Sequence, residues 1–353
     1  MSLPDAAAED TRPTKPCQKF EGHTDWVMDV IHVPGGQQIM TCSFDESLRV
    51  WNLQTGEQIS HWEDRNRKIW AMALCVDGKK VVCGSGDGVV GLWSIEIGRV
   101  TAEWTGHTKR VGSVCWNGDG ERVLSGSEDG TARVWDVESG NTILEINTGL
   151  FEVYTAIFSP DSTLIATGGG SSKDEFIKIW DANTGKLVSI LTGHTNIVTC
   201  LAWTADGRTL ISGSSDDTIR TWNTSTWQQV AVFTGHTRIV YGIAISPNGR
   251  ILASASWDNT ARLWNLENGQ PIGSTLQHLD DVNCVSFSTD GTLLATGCDD
   301  KNAYTWDIAA IIEDAGLKEL LVSRSFFISL HQLNSPSQDV QKSFLHVCHM
   351  FIT

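Results

Sequence analysis

Long apolar runs are missing from this 353-residue chain. No stretch approaches the ~18 consecutive apolar residues of a membrane span, and the polar start, Met1 to Pro16, holds no apolar segment of the kind a secretory signal needs. Cations are scarce as well: Lys and Arg total 26 against 42 Asp and Glu, a formal net charge of −16. That balance lacks the electrostatic footprint of a nucleic-acid binder, so neither direct nucleic-acid contact nor a membrane is expected. The nine Cys form no C-x-x-C pair and no metal-type spacing. An odd, scattered set reads as reduced, mostly buried thiols of an intracellular protein, cytoplasmic or nuclear. There is no G-x-x-x-x-G-K-[ST], and Gly168-Gly169-Gly170 precedes no helical pattern, so it reads as a loop. "HVCHM" at 346–350 stands alone in a tail. No metal and no cofactor is expected.

What the chain does have is tryptophan, 15 against three Tyr, and glycine, 33 against eight Pro. With 41% apolar residues it can bury a sizeable core. The tryptophans are periodic. Trp51, Trp93, Trp135, Trp180, Trp222, Trp264 and Trp306 are spaced by 42, 42, 45, 42, 42 and 42 residues. An Asp lies six residues before each: Asp45, Asp87, Asp129, Asp174, Asp216, Asp258 and Asp300. Before five of them, at 28 residues, stands a His: His23, His107, His194, His236 and His278. Such a register is the mark of a repeat architecture.

Each unit reads as β structure. Val111 to Trp116 alternates apolar and small residues, and Asn117 to Gly120 is a turn. Arg122 to Ser127, Ala132 to Val137 and Thr142 to Ile146 then follow as strands between Gly- and Asp-rich turns. Short period-2 strands punctuated in this way are an antiparallel meander.

Segments such as "GHTKRVGSVCWNGDGERVLSGSEDGTARVWD" resemble units of the WD-repeat family, and the resemblance extends over about residues 17 to 306. It implies an all-β, seven-bladed propeller of four-stranded sheets around a central channel. The seventh unit ends at Trp306-Asp307 without a fourth strand, whereas "CQKFEGH" before the first Gly-His matches "AEWTGH" and "AVFTGH" ahead of later units. Residues 17–20 are therefore expected to close the last blade, leaving no open sheet edge. A disordered leader over 1–16 and a partly helical tail over 307–353 complete the expected organisation.

A hydroxyl or thiol stands ten residues before most marker tryptophans: Thr41, Cys83, Ser125, Ser212, Ser254 and Thr296, with Thr167 offset by the longer fourth unit. Ser, His and Asp together invite a hydrolase reading. A nucleophile is needed only once, however, and this set recurs complete in five units. The resemblance implies instead a buried structural network of His23, Asp45 and Trp51; His107, Ser125, Asp129 and Trp135; His194, Ser212, Asp216 and Trp222; His236, Ser254, Asp258 and Trp264; and His278, Thr296, Asp300 and Trp306. Unit two departs with Arg65 and Cys83, and unit four with Gly149 in place of His. Both are expected to be less rigid. The protein is expected not to be an enzyme.

Function is then left to a surface. The resemblance places three positions per blade on the loop face, the usual docking face: three and five residues after the His, and the residue before the Asp. Here they supply Trp26, Met28, Phe44, Lys68, Trp70, Arg110, Tyr154, Ile197, Ile239, Tyr241, Trp257, Asp281 and Asp299 as candidate partner-binding residues. An aromatic and aliphatic set of this kind off the core positions is the composition of an interaction hot spot. Trp62, Trp104, Trp116 and Trp203 fall instead at core positions. Arg65, Arg67, Lys68, Lys109 and Arg110 predict a basic arc on blades two and three, and Asp280, Asp281 and Asp299 an acidic patch on blade seven. A partner offering Lys or Arg beside an apolar anchor would suit that patch. The three extra residues of "GGGSSKDEF" in unit four are either a specificity loop or a tolerated insertion.

Beyond Trp306, the spacing of Ile308, Ile311, Ile312 and Leu320 predicts a short helix to about Leu321. The leading functional reading is a monomeric, non-enzymatic scaffold for protein or peptide partners. A ubiquitin-ligase substrate receptor is an alternative, although W-x-x-R is absent after the marker tryptophans. A ligand-sensing module of a regulatory assembly is another.

Overall fold

A computed structural model describes residues 14–63 and 67–322. The leader up to residue 13, Arg65, and the tail beyond 322 with its "HVCHM" lie outside the described residues. Seven four-stranded antiparallel sheets form the blades. Blade one comprises Val27–His32, Gln38–Ser43, Ser47–Asn52 and Gln58–Glu63, and the next five repeat this order. In blade three the strands run Val111–Trp116, Arg122–Ser127, Thr131–Asp136 and Thr142–Asn147. The innermost strand of each blade touches that of the next, and blade seven touches blade one, so the ring is closed.

Blade seven takes its outer strand from the opposite end of the chain. Gln18–Glu21 pairs antiparallel with Asn302–Asp307, placing Phe20 opposite Ala303, and Cys17 N–H donates to Thr305 O at 2.7 Å. Phe20 is buried against Trp51 and Ala303. Thr14 Oγ1 lies 2.9 Å from Ser274 Oγ of blade six, so this edge of the leader is placed against the propeller.

The core lies between blades. Trp51, Trp93, Trp135, Trp222, Trp264 and Trp306 are almost wholly buried, each in a cluster of aliphatic side chains from adjoining sheets. Trp104 and Trp116 are buried as expected from their strand positions. Trp62 and Trp203 are only half-buried: Trp62, on the outer strand of blade one, stacks on Trp93, and Trp203, at the end of the innermost strand of blade five, meets Trp227 edge-on.

The C-terminal helix is shorter than its spacing predicts. Asp307 caps it by accepting from Ala310 N–H, and it runs Ile308–Asp314. Gly316 then adopts φ +72°, which ends the helix, and a separate 3-10 turn follows over Lys318–Leu321. The amphipathic spacing carries across this break because Ile308, Ile311, Ile312 and Leu320 all pack on blades six and seven. The outer strand of blade six loses register between Ala261 and Leu263, and Gly273 in that bulge lets Ile311 approach. No helix among the described residues is long and apolar enough to cross a membrane.

Candidate docking face

The fold re-aims one residue per blade toward the mouth of the channel. In each innermost strand the pairing slips by one residue, leaving Met28, Trp70, Gly112, Tyr154, Thr199, Tyr241 and Asn283 unpaired between registers. A bulge turns the extra side chain out of the sheet's alternation. These are the positions five residues after the His, so the repeat sets both the bulge and the ring of side chains.

Two arcs result. In the first, Trp26 packs on Phe44 at 5.5 Å and Phe44 on Trp70 at 4.2 Å between ring centroids. The Arg110 guanidinium lies 3.7 Å from the Trp70 ring and 5.5 Å from that of Tyr154, and the Lys68 ammonium is 4.8 Å from Phe44. The second arc is Tyr241 stacked on Trp257 at 5.2 Å. Trp257 Nε1–H donates to Asn283 Oδ1 at 3.1 Å, and Asn283 Nδ2–H donates to Asp299 at 2.6 Å. Ile197 and Ile239 are half-buried between the arcs, their carbonyls accepting from Ser215 N–H and Trp257 N–H.

Beneath the face a buried relay repeats. Trp135 Nε1–H donates to Ser125 Oγ at 2.8 Å; Ser125 is 2.7 Å from His107 Nε2, and His107 Nδ1 is 3.0 Å from Asp129. Asp129 also accepts from Thr108 N–H at 3.0 Å and from Thr131 N–H and Oγ1–H at 2.9 and 2.6 Å. A carboxylate partner at Nδ1 fixes the tautomer: Nδ1 carries the proton and Nε2 accepts from the serine. Burial pushes His107 below its usual range despite the facing Asp129. Burial works the other way on Asp129, but the bonds from Thr131, Thr108 and His107 win and draw it down to about 2. Blades one, five and six hold the same relay through His23, Thr41, Asp45 and Trp51; His194, Ser212, Asp216 and Trp222; and His236, Ser254, Asp258 and Trp264. Since each hydroxyl is wholly buried and already receives an indole N–H, it has no access to a substrate.

The WD domain, G-beta repeat family matches the chain seven times, over residues 14–52, 56–94, 98–136, 145–181, 185–223, 227–265 and 269–307. The chain belongs to the WD-repeat family. Among curated proteins it is similar to Periodic tryptophan protein 2 of Arabidopsis thaliana, 39% identical over 72 residues, which cover 20% of this chain and 8% of that protein. It is also similar to Protein HIRA of Dictyostelium discoideum, 37% identical over 82 residues, 20% of this chain and 7% of that one. The Caenorhabditis elegans homolog of Periodic tryptophan protein 2 matches at 37% over 62 residues, 18% of this chain and 6% of its own length. The chain thus spans less than a tenth of the length of these relatives. WD-repeat propellers are protein-interaction folds.

Three blades of this WD-repeat chain depart from the relay. In blade seven, expected to be complete, His278 keeps Thr296 at 2.8 Å and Trp306 bonds Thr296 at 3.1 Å, but His278 Nδ1 turns to Leu276 O at 3.0 Å. Asp300 is taken by the Tyr304 hydroxyl. Tyr304 stands where blades one, three, five and six have Arg, and Gln277 replaces their glycine before the His. In blade four, Lys178 supplies what Gly149 lacks: its ammonium donates to Thr148 O at 3.0 Å and lies 3.4 Å from Glu175. In blade two, Arg67 pairs with Asp87 at 3.0 Å and Glu103 at 2.9 Å, while Trp93 Nε1–H, in the blade that has Cys83 in place of the hydroxyl, has no hydrogen-bond partner among the described residues.

The face also differs from expectation in exposure and charge. Met28 and Phe44 are buried, because Met28 turns into the channel and Phe44 lies under Trp26, Trp70 and Lys68. Trp26 remains 45% exposed. Three cations of the basic arc meet acids: Lys68 faces Asp25 at 3.8 Å and Arg110 binds Glu128 at 2.6 Å, in addition to the Arg67 pairs. Across the channel, Asp281 is matched by Arg238 at 2.8 Å, a cation that the loop-position pattern does not single out. Among the described residues the Asp299 carboxylate is met only by Asn283. Burial, with the charges of Asp281, Asp280 and Asp25, raises it to about 6 against that bond. The net field at the seam of blades seven and one is acidic.

Proposed function

We propose that this protein is a non-enzymatic scaffold that docks a protein or peptide partner on the loop face of its propeller. The observation that carries the reading is the stack from Trp26 through Phe44, Trp70 and Arg110 to Tyr154, which crosses four blades and ends on a half-exposed tryptophan. Pre-stacked rings lose little side-chain freedom when a partner covers them, and Trp, Tyr and Arg dominate interface energetics. The acidic seam beside Trp26 and Trp257 suits a partner that places Lys or Arg next to an apolar anchor. An intracellular setting, cytoplasm or nucleus, fits cysteines that form no disulfide among the described residues.

The test is comparative co-purification from the native cell, with wild type, Trp26→Ala and Trp257→Ala as baits and mass spectrometry as readout. A protein retained by wild type and lost by both variants, each shown to be folded, is the expected result. A ubiquitin-ligase subunit in that position would specify a substrate receptor. Identical recovery by all three baits refutes the face assignment.

A further inference from the structure

Beneath the loop face the channel holds a half-open cavity of about 180 Å³. Asp29 of blade one lines it. At the equivalent position the other blades carry Ala71, Ser113, Thr155, Cys200, Gly242 and Cys284, so Asp29 is the one ionisable carboxyl in a ring of small residues. Its oxygens accept from Val30 N–H at 2.9 Å and from Met72 N–H of blade two at 3.1 Å. Ser113 makes the same blade-to-blade bond in neutral form, accepting from Ala156 N–H at 3.0 Å. The fold therefore accommodates a neutral acceptor at this place, or none, as at Ala71 and Gly242, and does not need a charge.

We propose that the cavity takes one basic side chain of the docked partner, the tip of an arginine or lysine, with Asp29 as its counter-charge. The proposal rests on the docking reading above and specifies its centre. Each Asp29 oxygen keeps a lone pair after its backbone bond, enough for an ammonium or a bidentate guanidinium. The approach is prepared by the acids on the same seam: Asp299 accepts from Asn283, which lines the cavity and also donates to Val27 O at 3.1 Å. Arg110 cannot serve as the missing partner, because it is held over Trp70 and Tyr154 and paired with Glu128.

The groups facing Asp29 are the thiols of Cys42, paired opposite it, and Cys284 of blade seven, with Arg110, Tyr154, Cys200 and Tyr241 across the cavity. Burial raises the Asp29 carboxyl to about 7 against its two backbone bonds. An arriving cation would hold it ionised, so binding should release a proton below that pH.

The probes are N-acetyl-arginine methylamide and N-acetyl-lysine methylamide, with the citrulline analogue as the uncharged comparison, titrated calorimetrically into the full chain. The basic probe with the better fit should bind at least tenfold tighter than the citrulline analogue. Its affinity should fall about tenfold from pH 8 to pH 6 as Asp29 takes up its proton. Asp29→Ser, which copies blade three, should lose tenfold or more in affinity and the pH dependence with it; Asp29→Asn serves if the serine variant does not fold. Wild-type affinity in a folded Asp29 variant, or no binding of either basic probe at millimolar concentration, overturns the proposal. The two readings separate cleanly. Trp26→Ala measured against the whole partner reports on the face, and Asp29→Ser measured against the probe reports on the channel.

Discussion

Replacing Asp129 by Asn in blade three should destabilise the propeller far more than replacing Asp87 by Asn in blade two. Asp129 accepts from His107, from Thr108 N–H and twice from Thr131. An Asn side chain turns one of those oxygens into a donor that faces donors. Leaving a buried donor without its acceptor costs roughly 1–3 kcal/mol. The drop of the carboxyl from 3.8 to about 2 corresponds to about 2 kcal/mol at full weight. Solvent at the rim screens part of this, so about 2 kcal/mol for the substitution is the reasoned figure. Asp87 is half-exposed, and its pair with Arg67 is of the kind that contributes roughly 0–1 kcal/mol. In a chain of this size the Asp129 variant should melt about 4 °C lower and the Asp87 variant within about 1–2 °C of wild type. The Asp129 carboxyl is depressed in the folded state, so its stabilisation is complete above pH 3.8 and fades as pH falls toward about 2. Scanning calorimetry at pH 7 and in acid reads both effects. Equal melting shifts at pH 7, or a difference that persists undiminished near pH 2, would refute the relay as the source of stability.

Phe44→Ala should cost roughly 3–5 kcal/mol by denaturant titration, because the ring is buried under Trp26 and Trp70, whereas Trp26→Ala should leave the fold nearly unchanged. Removing residues 1–21 deletes the outer strand of blade seven and unburies Asn302–Asp307; a truncated chain that melts like the full one would reject closure by that pairing. Ser125→Ala should lower stability by roughly 1–3 kcal/mol, orphaning Trp135 Nε1 and His107 Nε2. Any esterase turnover abolished by that substitution in a folded protein would contradict its structural role.

The repeat was legible because every blade solves the same packing problem, so Trp, Asp and His recur at fixed distances and announce sheet number and strand order. Legibility ended where one blade changed its solution. Nothing in the spacing of His278 and Asp300 says that Tyr304 would capture the Asp, although Tyr in place of Arg two residues before the marker tryptophan was the available signal. Lys178 standing in for a histidine is of the same kind. The candidate face was legible as a set of positions, since position fixes the bulge. Exposure was not, because it depends on neighbours across blades: Phe44 is covered by Trp26 and Trp70, which the chain places 18 residues before it and 26 after. Charge followed the same rule: Arg67, Lys68 and Arg110 of the expected basic arc each find an acid on a neighbouring strand or loop. Asp29 could have been found by aligning the seven units at the sixth residue after the His, where it alone carries charge.

The most direct measurement of the docking claim is the affinity of a purified partner for Trp26→Ala by calorimetry at fixed salt, beside the melting temperature of the same variant. The account predicts a loss of about 2 kcal/mol, roughly thirtyfold in Kd, with melting unchanged. Wild-type affinity in the folded variant would contradict it.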